Sequence, residues 1–216
     1  SAARAPRARW DFLLAAAAGR KVLHMGCLDH EPLIHQKIAA GTWLHEALRR
    51  VSASCVGVDI DTDVIATLRA RYGAADIHAH NVMEGSLPHD VVKSVDVVLL
   101  PDVLEHIPAP VEFLAALRRS FSMPAPRLVL TVPSATTLDG TVRAMRASEW
   151  VNSDHYAAYT PYTLARVLVR AGWVPQDLFF LDYSLPPRAT GVRTFVRGYM
   201  LRRFPLLRDT IAVVCS

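Results

Sequence analysis

Lys21-Val22-Leu23-His24-Met25-Gly26-Cys27-Leu28-Asp29-His30 and, one unit later, Val56-Gly57-Val58-Asp59-Ile60-Asp61 are the stretches that decide the fold. Each is a short apolar, β-branched run that stops at a polar turn, the form of a strand buried on both faces of a parallel sheet. Gly26 would let a ligand approach the backbone at the carboxyl edge of such a sheet. A carboxylate at the end of the next strand, Asp59, can accept hydrogen bonds from the two hydroxyls of a ribose. The competing role for Asp59 or Asp61 is to cap the helix that starts near Asp63, and capping suits Asp61 better than Asp59.

Working outward, further strands are expected at Asp76 to Ala79, Ser94 to Leu100, Arg127 to Val132, Trp173 to Leu181 and Thr210 to Cys215. Together with Lys21 to Met25 and Cys55 to Asp59 they make seven. Helical patterns between them cover Thr42 to Arg50, Asp63 to Tyr72, Val111 to Phe121 and Pro161 to Ala171. Thr160-Pro161 supplies a hydroxyl cap and a first-turn proline, and Gly172 a terminator. The alternation gives an α/β fold with a doubly wound, mostly parallel seven-stranded sheet.

The chain has 216 residues, 51% of them hydrophobic, enough for one domain with a substantial core. Its net charge is +4, but the arginines are dispersed and no RNA-binding motif is present, so a nucleic-acid partner is not expected. Cys27, Cys55 and Cys215 form an odd set without metal spacing, which fits reduced thiols and a cytoplasmic location.

Arg4, Arg7 and Arg9 ahead of Phe12 to Ala18 imitate a secretion signal, but the run is short and leads straight into the first strand, so an N-terminal helix over about 8–18 is expected instead. No apolar stretch is long enough to span a bilayer. Near the C-terminus an inserted segment, about 184–209, precedes the last strand. Pro186 and Pro187 introduce Val192, Phe195, Val196, Tyr199 and Met200, an apolar stripe at helical spacing accompanied by Arg193, Arg197, Arg202 and Arg203. The stripe reads as core or homodimer packing. The other reading is peripheral membrane contact, its arginines attracting phosphorylated or lipid-linked acceptors.

Val22 to Cys27, Val56 to Asp59, Val97-Val98-Leu99-Leu100-Pro101-Asp102-Val103-Leu104-Glu105-His106 and Leu128-Val129-Leu130-Thr131-Val132-Pro133 resemble successive motifs of the class I methyltransferases, which use S-adenosylmethionine (SAM). The likeness runs from about Lys21 to Trp173, and Asp154-His155-Tyr156 through Leu164 resembles a segment near the acceptor in that family. It implies that Gly26 and Cys27 hold the methionyl part of SAM and that Asp59 and Ile60 meet its ribose. It also implies that Asn81 and Val82 surround adenine, with Leu100 and Pro101 bordering the site.

Asn81 stands where the family often has aspartate, and its alternative role is that of a turn residue. Leu28 and His30 replace further glycines of the first loop. This departure, with Trp43-Leu44-His45, is similar to bacterial methyltransferases of sugar, polysaccharide and glycolipid pathways.

Methyl transfer needs an in-line acceptor, and a hydroxyl acceptor must also lose a proton, which histidine can remove near neutral pH. His155, on the acceptor-side segment, and His106 are the candidate bases, and Asp102 is the group to orient a histidine or hold the acceptor. Simple loop packing for His155, a structural or cofactor-side role for His106 and helix capping for Asp102 are the alternatives. No metal is assigned, because no Cys/His cluster has zinc spacing and Asp29, Asp102 and Asp154 are scattered.

The expected function is O-methylation of a sugar-containing or other small metabolite. N- or C-methylation and a non-catalytic SAM-binding regulator are the alternatives. A nicotinamide-dependent reductase ranks last because the first loop lacks the glycine pattern of dinucleotide binding.

Overall fold

The computed structural model describes residues 8–29, 31–149, 151–183 and 192–216. His30, Arg4, Arg7, Pro186 and Pro187 lie outside them. The strands are β1 (Lys21–Met25), β2 (Ser54–Asp59), β3 (Ile77–Ala79), β4 (Val97–Pro101), β5 (Arg127–Pro133), β6 (Pro175–Leu181) and β7 (Thr210–Cys215). The helices are α1 (Arg9–Ala17), α2 (Glu31–Ala39), α3 (Leu44–Val51), α4 (Thr62–Tyr72), α5 (His89–Val92), α6 (Pro110–Arg119), α7 (Leu138–Ala144), α8 (Pro161–Arg170) and α9 (Val192–Arg203). Of these, α2, α5 and α7 were not legible as apolar periodicity.

The strands form one sheet in the order β3-β2-β1-β4-β5-β7-β6, with β7 antiparallel to both of its neighbours. This is the mostly parallel seven-stranded sheet that the sequence leads one to expect. The strand order reverses between β1 and β4, and in open sheets of this kind ligands bind beyond the carboxyl ends at that point.

Alternation along β1 sorts its side chains by face. Leu23 and Met25 join Val98, Leu100, Phe113, Leu114 and Leu117 in one core cluster, under α6. Val22 joins Phe12, Leu13, Leu48 and Leu99 in the other, under α1 and α3. Both faces are covered, which is why these strands read as continuous apolar runs.

Local signals account for several boundaries. Asp61 accepts a hydrogen bond from the Val64 amide at 3.0 Å and caps α4, as anticipated. Thr160 and Thr163 form a reciprocal capping box at the start of α8. The sixth strand starts at Pro175 and not at Trp173, because the Trp173 amide donates to the Leu168 carbonyl at the end of α8, at 3.0 Å.

The C-terminal stripe requires a correction. Among the side chains of α9 that are described only Leu201 is buried, while Phe195, Val196 and Tyr199 are exposed, so these three do not pack in the core.

Candidate active site

The carboxyl ends of β1 and β4 open into a cavity of about 530 Å³. Its walls include Gly26, Cys27 and Leu28 after β1, Trp43 and Leu44 at the start of α3, Arg9 and Trp10 of α1, and Pro101 and Asp102 after β4. Sites for small molecules and cofactors commonly have volumes of roughly 300–1,000 Å³.

Gly26 is required at the turn. Its φ is +65°, and a Cβ there would stand 2.3 Å from Val103 Cγ2. The Gly26 amide donates to the Val58 carbonyl at 2.9 Å, so the turn is fixed to the end of β2.

Asp59 reinforces the same join. Its Oδ2 accepts from the Leu28 amide at 3.0 Å, and its Oδ1 accepts from the amides of Ile60 at 2.8 Å and Asp61 at 3.3 Å. A carboxylate has about four acceptor positions, so an open one remains on Oδ2. Beyond it Ile60 is exposed.

Asn81 uses its side chain within its own turn: Oδ1 accepts from the Met83 amide at 3.0 Å and Nδ2 donates to Glu84 at 2.8 Å. This is the turn role weighed above. Val82 and Leu100 are buried in the core cluster, and neither belongs to the cavity wall.

Several cavity groups are legible only in three dimensions. Asp102 has a φ of +52°, a conformation uncommon outside glycine though tolerated by aspartate. Its Oδ1 accepts from Thr131 Oγ1 at 2.7 Å, and its Oδ2 pairs with Arg9 at 2.7 Å. The carboxylate therefore ties β4 to β5 and α1 and does not cap a helix. Burial raises the Asp102 pKa, while Arg9 and Thr131 oppose that rise.

Lys37 pairs with Asp29 at 2.6 Å on the cavity wall, and Trp43 Nε1 donates to the Cys27 carbonyl at 3.0 Å. Burial holds the Cys27 thiol well above its ordinary pKa, so it stays protonated and non-nucleophilic. All three cysteines are free and buried.

His24, also on the cavity wall, is buried, and its Nε2 has no hydrogen-bond partner. Nothing in the sequence singled it out, because one histidine within an apolar strand gives no indication of what it faces.

Beyond Asp102, the short helical turn Leu104–His106 carries Glu105 and His106. The segment bearing His155 is fastened across it: the Tyr156 amide donates to the Glu105 carbonyl at 2.7 Å, and Tyr159 Oη donates to the Leu104 carbonyl at 3.3 Å. The His106 and His155 rings consequently meet edge to face, 4.7 Å between centroids. His106 Nδ1 lies 3.1 Å from the Asp154 carbonyl and donates to it, which leaves Nε2 as the basic nitrogen when the ring is neutral.

Burial, and then the neighbouring His106, lower the His155 pKa. Glu105 is buried with Oε2 unpartnered, and its pKa is pushed up to about 8 by burial and by Asp102. Ligand atoms of Glu105, His106 and His155 lie within 4.8 Å of one another, so this cluster could hold a metal ion. The two histidines expected to act are thus brought together, with Asp102 in electrostatic reach of both, although neither histidine belongs to the cavity wall itself.

Residues 38–122 match the family model described as a methyltransferase domain. The ubiquinone biosynthesis O-methyltransferase of Paracidovorax citrulli is 31% identical over 116 residues, which cover 52% of this chain and 44% of that protein. The protein of the same name from Methylococcus capsulatus is 28% identical over 115 residues. The chain therefore spans less than half the length of these curated relatives.

Among solved structures, a putative methyltransferase complexed with the Haloferax volcanii Trm112 activator aligns with a TM-score of 0.61 at 17% identity, covering 95% of this chain and 87% of that one. The magnesium protoporphyrin IX methyltransferase of Synechocystis, solved with bound SAH, the demethylated product of SAM, aligns at 0.55 and 15% identity, covering 95% and 80%. These likenesses establish the shared fold. Residues 38–122 are thus similar to a methyltransferase domain, and the sheet with its helices is the fold those solved methyltransferases share.

Proposed function

We propose that this chain transfers a methyl group from SAM to a hydroxyl of a small molecule. The observation that carries the reading is that Gly26 and Asp102 line one cavity at the carboxyl edge of the sheet, and Asp102 is within electrostatic reach of the paired His106 and His155. The relatives' names, which are those of O-methyltransferases, support a hydroxyl acceptor.

The donor, when bound, supplies an activated methyl on a sulfonium. The left-handed turn at Gly26 and the cavity behind it offer room for its methionyl part, and the open position on Asp59 Oδ2 is available to a ribose hydroxyl. Exposed Ile60, next to Asp59, offers an apolar surface to the nucleoside in this reading.

His155 acts as the base in this reading. Its lowered pKa keeps the imidazole neutral at pH 7, ready to take the proton of an acceptor hydroxyl. His106 is fixed by the Asp154 carbonyl and holds His155 edge-on. Positioning supplies the remaining acceleration, since the methyl needs no protein nucleophile. The reading includes a cytoplasmic location, for which the free thiols of Cys27, Cys55 and Cys215 are the support.

The test is an acceptor screen with methyl-labelled SAM, using phenolic, sugar and amine acceptors in separate arms. Label transfer to hydroxyl compounds is the expected result. Transfer confined to amines, or SAH binding with no transfer to any class, would reject the hydroxyl reading.

A further inference from the structure

From Ser184 to Arg208 the sequence contains six arginines and no aspartate, glutamate or lysine. In a chain with 24 basic and 20 acidic residues, that is a strong local excess of one sign. The segment also carries the apolar stripe that the core does not absorb. Phe195 is 70% exposed and Tyr199 56%, with Val196, Phe204 and Leu206 also open to solvent.

These residues form one continuous face. Phe195, Tyr199, Arg202 and Arg203 recur at helical spacing along α9, and the turn Pro205–Leu207 adds Leu206 at the end. On the opposite side buried Leu201 anchors the helix. Arg202 and Arg203 are exposed and make no ion pair with the described residues, whereas Arg208 is buried and paired with Asp182.

The sheet puts this face at the same carboxyl edge as the cavity. Connecting β6 to β7, α9 belongs to the carboxyl edge, and the edge bonds of the chain that follows it are explicit. Thr136 Oγ1 donates to the Leu206 carbonyl at 2.9 Å, and the Ser134 amide donates to the Asp209 carbonyl at 2.8 Å. At the other end of the connection Tyr183 lines the cavity, under the Arg9 guanidinium at 4.9 Å.

We propose that α9 and the turn following it form a peripheral docking face for an anionic lipid bilayer, at the same edge of the sheet as the cavity. Aromatic and aliphatic side chains with arginine heads suit the boundary between headgroups and acyl chains, where the rings bury their apolar bodies and the guanidinium groups meet lipid phosphate. A polynucleotide would also attract the arginines, but it leaves Val196 and Leu206 without an apolar partner. A second copy of the chain would have to bring the like-charged faces together. The docking is a property of this surface, and it adds to the methyltransferase reading that acceptors partitioned into a bilayer reach the site from that side.

Vesicle co-sedimentation tests it, with phosphatidylcholine alone and with phosphatidylcholine mixed with phosphatidylglycerol. The protein is expected to bind the mixed vesicles, to release with added salt and to ignore the neutral ones. The double variants Phe195→Ser/Tyr199→Ser and Arg202→Glu/Arg203→Glu should each weaken binding by about tenfold or more. Their melting temperatures and SAH affinities should match the parent, because the altered side chains are exposed.

No binding to mixed vesicles, or undiminished binding in either variant, would overturn the proposal. So would tighter binding to single-stranded RNA that competes with the vesicles, or a concentration-dependent dimer that Phe195→Ser/Tyr199→Ser abolishes. Failure of the parent protein to bind SAH would remove the cofactor reading and leave the vesicle result standing.

Discussion

His24 and His45 face each other through their Nδ1 atoms at 3.2 Å, buried between the sheet and α3. On the far side of His45, Nε2 lies 3.4 Å from Asp76, whose carboxylate is held below the usual range by that contact first. An ionised carboxylate only accepts, so His45 Nε2–H donates to it and keeps its proton. Neutral His45 then accepts at Nδ1 from His24, and His24 is left with an unprotonated Nε2 at the cavity. Burial keeps His24 neutral by holding its pKa well below the ordinary value.

His24→Leu is therefore expected to weaken SAH binding by about 1–3 kcal/mol, the range for losing a hydrogen-bond partner, and to lower the melting temperature as well, because the buried His45 Nδ1 loses the donor it faces. Nitrogen-15 NMR should find the Nδ1-protonated tautomer in the parent. An Nε2-protonated His24, or unchanged affinity in the variant, would remove this role.

Asp59→Ala is expected to cost about 1–3 kcal/mol of SAH affinity. Part of that loss comes from freeing the Leu28 amide, and the part due to the ribose contact should also make the variant bind adenosine more weakly. Calorimetry on a folded variant showing no change for either ligand would exclude Asp59 from the site.

His155→Ala is expected to lower kcat by about 10²-fold or more while SAH affinity stays near normal. Because the His155 pKa is lowered, the acid limb of the parent's kcat profile should have its midpoint below pH 6.5 and vanish in the variant. His106→Ala is the comparison. A near-normal His155→Ala with an inactive His106→Ala would transfer the base role to His106. Rates that rise with added magnesium and collapse in Glu105→Gln would point to a metal on this cluster in place of a histidine base.

Glu105 also gives a stability signature. Its folded pKa is about 8 against an ordinary value of 4.5, so folding favours the protonated form. That contribution is full below about pH 4.5 and is lost as pH rises towards 8, with a slope of at most about 1.4 kcal/mol per pH unit. Glu105→Gln, an uncharged stand-in, should match the parent near pH 5 and exceed it at pH 8. Urea titrations showing a pH-independent difference between the two would contradict the buried, protonated carboxyl.

Gly26→Ala is expected to abolish SAH binding and lower the melting temperature. The new methyl would collide with Val103 in a backbone conformation that alanine adopts only under strain. Val103→Ala on the same background should restore part of the stability by opening the space. A Gly26→Ala protein with parental affinity would show that the turn is not needed in its present form.

The sequence alone determined the mostly parallel sheet, because strands covered on both faces must be apolar throughout, and Val22 to Met25 and Val97 to Leu100 record that directly. It also determined local devices whose partners lie within one turn of helix, such as the Asp61 and Thr160 caps. Gly26 and Asp59 were legible because a strand end is a fixed place in such a fold. What only the tertiary structure decided are contacts between residues far apart in the chain. Arg9 meets Asp102, His24 meets His45, and the loop of His155 is fastened over Glu105. Periodicity likewise identified the stripe at Phe195 but not its surroundings: it records which side chains are apolar, and whether a neighbour covers them is settled only when the whole chain has packed.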